Sequence, residues 1–180
     1  MKARDNPLCT DRQLAFRYRP LDCTWDDLMR RLHNLRYRCL VVGPEGSGKT
    51  TLLEDLAPRL HALGFATTFV RIDDGLPRVS AGPSAIVLLD GAEQLDRTSW
   101  NALCEQTRQS AGLVATSHTA GRLPTLIECR TSVPLLRRIV ADLAPQHAAL
   151  LEPLLADVYA RRNGNIRLAL GDLYDVLAGL

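Results

Sequence analysis

Apolar residues follow two kinds of pattern along this chain, and the change from one to the other divides it. Up to about residue 132, short unbroken apolar runs alternate with segments of helical spacing. Cys39-Leu-Val-Val42 is such a run and reads as a buried strand. Phe65 to Ile72, rich in β-branched and aromatic residues, reads as a second strand, and Ala85-Ile-Val-Leu-Leu-Asp90 as a third. Gly112 to Ser117 reads as a fourth and Thr125 to Cys129 as a fifth. Continuous rather than alternating apolarity suits a parallel sheet buried on both faces.

Between these runs lie the helices. Thr24 stands as N-cap before Asp26 and Asp27, and Leu28, Leu32 and Leu35 then share one face. A helix is expected from about Thr50 to Leu63, stopped by Gly64, and another from Thr98 to Gln109. Asp73 to Ser84, with two Gly and two Pro, reads as loop. From Pro134 onward only leucine-rich helical patterning remains. Pro145 and Pro153 mark helix starts, and Asn163-Gly164-Asn165 breaks the pattern before a last helix, Ile166 to Leu177. The expected organisation is an N-terminal segment and helix over 1–36, an α/β core over 37–132 and a helical lid over 133–180.

The first strand runs into Gly43-Pro44-Glu45-Gly46-Ser47-Gly48-Lys49-Thr50, a full match to GxxxxGK[ST], followed by Thr51. Glycines let successive backbone N–H groups turn inward around phosphate oxygens, and the helix that follows adds its positive end. Lys49 supplies a point charge for β- and γ-phosphates, and the Thr50 hydroxyl is a Mg2+ ligand. Strand before and helix after is the setting this motif requires. Asp90, at the end of an apolar core strand, is the carboxylate that would help hold the hydrated magnesium. Glu93 is the candidate to polarise an attacking water, or else it caps the next helix. Thr116 and Ser117 end the fourth strand, where either could orient that water. His118 follows them as a lone histidine with a structural reading.

Composition changes this picture little. The chain has 180 residues, 46% hydrophobic and 23% charged, which suits a packed core. No segment approaches the ~18 consecutive apolar residues of a membrane helix, and Met1 to Gln13 lacks the apolar stretch of a secretory signal. The expectation is a cytoplasmic protein without membrane insertion. Five cysteines, with no CxxC pair, read as reduced thiols, and the four scattered histidines form no zinc pattern. Residues 1–38 hold nine Lys/Arg against five Asp/Glu, a net of +4 within a total of +2. The stretch Met29 to Arg38 is the most basic, and reads as a solvated helix face or a meeting place for phosphates or an acidic partner.

With these residues in hand the chain resembles the AAA+ ATPases, particularly the clamp-loader and STAND-like branches. The resemblance is carried by the phosphate loop, the Leu88-Leu89-Asp90 strand end, Ala115-Thr116-Ser117, and Gly164-Asn165-Ile166-Arg167-Leu168-Ala169-Leu170, which is similar to the segment bearing the family's sensor 2 arginine. Tyr18-Arg19-Pro20 is similar to a segment that packs near adenine in clamp loaders. The resemblance implies a P-loop NTPase three-layer sandwich of α/β class, with a mostly parallel five-stranded sheet and a small C-terminal helical lid. It also implies ATP with Mg2+, and Arg167 as the residue that senses the γ-phosphate. A switch or motor subunit would follow, acting on a protein or nucleic-acid partner and open to nucleotide-dependent homo-oligomer assembly. Gly91 stands where the family has Glu after Asp90, so hydrolysis is expected to be slow. Arg122 and Arg130 are the arginine-finger candidates. The phosphate loop also looks like that of thymidylate kinases, so a small nucleotide kinase is the alternative, and a nucleotide-binding scaffold without hydrolysis the third reading.

Overall fold

The computed structural model describes residues 6–8, 17–72 and 78–179; Cys9 and residues 73–77 of the expected loop lie outside them. The chain folds as two units. The α/β unit takes Arg17–Gly43 and Gly48–Cys129, and the helical unit takes Arg130–Leu180 together with Pro44–Ser47 and residues 6–8.

The α/β unit opens with helix α1 (Trp25–Asn34). Thr24 caps it reciprocally: its hydroxyl accepts from the Asp27 amide at 3.1 Å, and the Asp27 carboxylate accepts from the Thr24 amide at 3.1 Å. The Thr24 hydroxyl, which also donates to the Asp27 carboxylate at 2.7 Å, and then the Thr24 amide hold the Asp27 carboxyl below its usual range. There follow β1 (Arg38–Val42), α2 (Lys49–Ala62), β2 (Ala66–Arg71), β3 (Ala85–Asp90), α3 (Arg97–Gln106), β4 (Gly112–Ser117) and β5 (Thr125–Glu128). The strands form one five-stranded sheet in the order β2-β3-β4-β1-β5, and every pairing is parallel.

Alternate residues of the central strands feed two cores. Cys39, Val41, Ile86, Leu88 and Val114 pack with Leu28 and Leu32 of α1 and with Leu52, Leu53, Leu56 and Leu60 of α2. Leu40, Val87, Leu89, Leu113 and Ala115 face the other way, onto Trp100 and Leu103 of α3. Both faces are covered, so this unit has three layers, and the unbroken apolar runs have their physical reason. Each fully buried Leu contributes about 1.5–3 kcal/mol of transfer free energy.

Observed boundaries differ from the sequence pattern in small, explicable ways. Helix α2 starts at Lys49, one residue before the expected Thr50, and ends at Ala62. Helix α3 ends at Gln106, three residues early, where the Thr107 hydroxyl turns back onto the carbonyls of Leu103 and Cys104. Arg38 donates to the carbonyls of Thr107, Arg108 and Ser110, so part of the basic stretch satisfies the end of a helix.

The helical unit comprises α4 (Val133–Leu143), α5 (Ala148–Leu151), α6 (Leu155–Arg161) and α7 (Ile166–Ala178), with 3-10 turns at Pro145–His147 and Glu152–Leu154. Pro145 opens the first of these turns, but Pro153 sits inside the second rather than starting a helix. The core is aliphatic: Leu136, Val140, Leu151, Leu155, Val158, Leu170, Leu173 and Leu177. Leu8 joins it, fully buried, and Asn6 fastens that segment by donating to the Tyr174 carbonyl at 2.9 Å. Among the described residues no helix is long and apolar enough to cross a membrane.

Candidate functional site

An all-parallel sheet puts the carboxyl ends of its strands along one edge, where α/β proteins bind their ligands. Strand order then decides which ends are neighbours. β4 lies between β1 and β3, so the ends of β1 and β3 flank Thr116 and Ser117. The Gly43 amide donates to the Ser117 carbonyl at 3.1 Å, tying the start of the loop to β4.

Within Gly43 to Thr50 the chain turns sharply. Gly48, with φ +86°, is the N-cap of α2 and offers no side chain to the first-turn amides. The Ser47 hydroxyl donates to the Pro44 carbonyl at 2.8 Å. Buried Lys49 donates from Nζ to the Gly43 carbonyl at 2.8 Å, so its ammonium lies against the loop it belongs to. Pro44 and Glu45 are exposed, and Thr51 is half-buried.

Asp90 is the hub. Its Oδ2 accepts from the Thr50 hydroxyl at 2.9 Å and its Oδ1 from the Thr116 hydroxyl at 2.8 Å. Thr116 in turn accepts from the Gly91 amide at 2.8 Å. Two oxygens bound at right angles to one magnesium lie about 2.9 Å apart, so the Thr50–Asp90 pair fits a shared Mg2+ shell completed by water and phosphate. Among the described residues no group of three His, Cys, Asp or Glu could hold a metal, and a magnesium site of that kind needs none. Arg71 approaches Asp90 Oδ2 at 3.6 Å from the end of β2. The spacing along the chain could not show this, because it depends on the register that sets Arg71 against Asp90.

Glu93 follows a left-handed turn of the chain. Gly91 has φ +96°, and a Cβ there would lie 2.7 Å from Gln94 Nε2. The chain therefore turns left-handed straight after Asp90 and enters a 3-10 turn, Ala92–Gln94, that carries Glu93. Glu93 does not cap the next helix; Asp96 does, accepting from the Ser99 amide at 2.7 Å. Instead Glu93 Oε1 meets His118 Nε2 at 3.4 Å, while Oε2 is out of solvent with no hydrogen-bond partner among the described residues. Arg122, a finger candidate, spends its guanidinium on this turn, donating to the carbonyls of Ala92 at 2.8 Å and Leu95 at 2.5 Å and lying over the Trp100 ring.

The segment before α1 is anchored to α2. Asp55 accepts from the Arg17 guanidinium at 2.8 Å and the Tyr18 amide at 2.5 Å. The Tyr18 ring lies beside Gly48, 3.5 Å from where a Cβ would be, and its hydroxyl is 3.4 Å from Cys129 Sγ. Burial, with Cys129 beside it, pushes the Tyr18 hydroxyl far above its usual range.

In the helical unit, Asn165 is the N-cap of α7, its side chain accepting from the Leu168 amide at 3.1 Å. A methyl group on Gly46 would lie 2.0 Å from Asn165 Oδ1 and 3.2 Å from Asn165 Cα. Arg167 is exposed in the first turn of α7. The Asp172 carboxylate accepts two hydrogen bonds from Arg162, at 2.9 and 2.5 Å. Arg130, the other finger candidate, is exposed.

The α/β architecture with its parallel sheet is compatible with a Rossmann-like or a P-loop fold. No family model matches the chain, and no curated protein matches it.

Proposed function

We propose that the chain binds ATP with magnesium at Gly43 to Thr50 and hydrolyses it slowly, as a switch or motor subunit of AAA+ type. The observation that carries this reading is the 2.9 Å approach of Thr50 Oγ1 to Asp90 Oδ2, made from the two sequence elements whose spacing suggested a phosphate loop and a magnesium carboxylate.

Lys49 and the loop amides take the phosphate oxygens, and the buried setting strengthens each charge contact. Thr50 and Asp90 would hold the magnesium, which when bound neutralises phosphate charge. Glu93 takes a proton from water as the water oxygen bonds to the γ-phosphorus. The bond from that phosphorus to the β–γ bridging oxygen breaks, its electron pair stays on ADP, and phosphate leaves. Arg71 supplies a cation beside Asp90. Arg167 is the candidate that distinguishes ATP from ADP, by the resemblance of its segment to sensor 2. The partner is a protein or a nucleic acid, and nucleotide-dependent assembly of like chains belongs to the same reading.

Titration calorimetry of the parent and Lys49→Ala with magnesium-ATP tests the site. Binding should weaken at least tenfold, about 1.4 kcal/mol or more. Unchanged affinity would remove the phosphate-loop assignment.

A further inference from the structure

Glu93 poses a problem that the proposed function leaves open. Its carboxylate is half-buried, one oxygen faces His118, and the other is sealed from solvent without a partner among the described residues. An unpaired buried acceptor costs about 1–3 kcal/mol, more when charged, and the fold gains nothing visible from it. A group kept in that condition asks for a use.

The surroundings are rigid. Arg122 holds the carbonyls on either side of the Glu93 turn, and Thr116 ties the end of β4 to the Gly91 amide where that turn begins. The Ser117 hydroxyl accepts from the Thr119 amide at 3.3 Å, shaping the bend that carries His118. Thr116 itself is committed to Asp90 and Gly91. The Glu93 carboxylate is therefore the adjustable part, and His118 is the group that meets it.

We infer that His118 is a positioning residue for Glu93: the imidazole engages Oε1 and leaves Oε2 as the oxygen that receives the proton of the attacking water. An ionised carboxylate only accepts, so Nε2 must carry the hydrogen, and the interaction selects one carboxylate oxygen. The separation of 3.4 Å is a few tenths of an ångström beyond a full hydrogen bond, as catalytic contacts often are before substrate is in place. This role requires a rotation of the Glu93 side chain that closes this gap and brings Oε2 out of its sealed position. His118 neither takes nor gives a proton in the reaction. This inference rests on the ATPase reading and deepens it.

Steady-state hydrolysis by the full chain, with magnesium-ATP as probe, tests it across the parent, His118→Ala, His118→Gln, Glu93→Gln and the double variant Glu93→Gln/His118→Ala. His118→Ala should lower kcat about tenfold with KM and ATP affinity unchanged, because only the orientation of the base is lost. His118→Gln, whose amide places an N–H near the same point, should recover most of the rate. The double variant should be no slower than Glu93→Gln alone, since both changes act on one carboxylate. Parental kcat in His118→Ala, or full additivity in the double variant, overturns the positioning role while Lys49-dependent hydrolysis leaves the ATPase reading standing. A parent chain that releases no phosphate removes both.

Discussion

The Thr116 hydroxyl donates to Asp90 Oδ1 at 2.8 Å while accepting from the Gly91 amide, so one buried side chain fixes both the orientation of the carboxylate and the direction of the chain after it. Read from sequence, Thr116 was a residue to orient water; in the fold its hydroxyl is already engaged. Thr116→Val keeps the shape and removes the hydroxyl, leaving a carboxylate oxygen and an amide short of a partner. The unfolding free energy should fall by about 1–3 kcal/mol, whereas Thr116→Ser should stay close to the parent. Urea denaturation of the three proteins decides this, and equal midpoints for parent and Val variant would argue against it.

Gly46 sits at φ +71°, and Asn165 occupies the space that a Cβ there would need. Gly46→Ala must therefore displace the Asn165 side chain, which also caps α7, and it adds left-handed strain. A loss of about 1 kcal/mol or more is expected, since the cap alone is worth about that much. Asn165→Ala should cost less in the Gly46→Ala background than in the parent, because the cap has already been disturbed. Thermal melts of the four proteins measure the coupling, and strictly additive losses would show that the two residues act separately.

Acid should weaken the helical unit through Asp172. Hydrogen bonds from Arg162 hold the Asp172 carboxyl below its usual range, and Arg137 does the same for Glu152. A carboxyl depressed on folding contributes stability above its unfolded value, near ~3.9 for Asp, and loses that contribution as pH falls through the lower folded value. The melting temperature should therefore drop below about pH 4, and drop less steeply in Arg162→Ala. Parallel curves for parent and variant would assign the acid sensitivity elsewhere.

Thiol reactivity should follow burial. Burial pushes Cys39 up to about 12, and raises Cys129 against the opposing influence of Tyr18 and Lys49. Cys104 is raised by its partial burial, while Cys23 is half-buried. Because the thiolate is the nucleophile, iodoacetamide at about pH 8 should label Cys23 ahead of Cys39 and Cys129 in the folded protein. Peptide mapping after timed quenching reads the order, and early labelling of Cys39 would contradict its place in the core.

Local pattern made much of this fold readable. Strands β3 and β4 begin and end where their apolar runs do, Thr24 and Asn165 cap helices with their side chains, and Gly64 turns the chain at positive φ. One motif and one strand end single out Thr50 and Asp90, and the two meet in the fold. What stayed hidden depends on pairing between distant segments. The approach of Arg71 to Asp90 follows from β2–β3 register, and the meeting of Glu93 with His118 from β4 lying beside β3. The sequence offers Arg122 as an arginine-finger candidate, and nothing near it in sequence shows the carbonyls of Ala92 and Leu95 that it serves. Helix α2 runs through Pro58 as the apolar spacing leads one to expect, with Leu53, Leu56 and Leu60 packed in the core.

Strand β1 is made early and paired late. Its two neighbours are β4 and β5, so Arg38 waits for Leu113 and Leu40 waits for Thr125. At ~5–20 residues per second, a ribosome needs roughly 4–15 s to supply the first of them. Through that interval Cys39 to Val42 is an apolar strand with both edges bare, the kind of segment that pairs with other chains. A nascent chain stalled before β4 should depend on chaperones, and release from that dependence should come once β5 has cleared the exit tunnel.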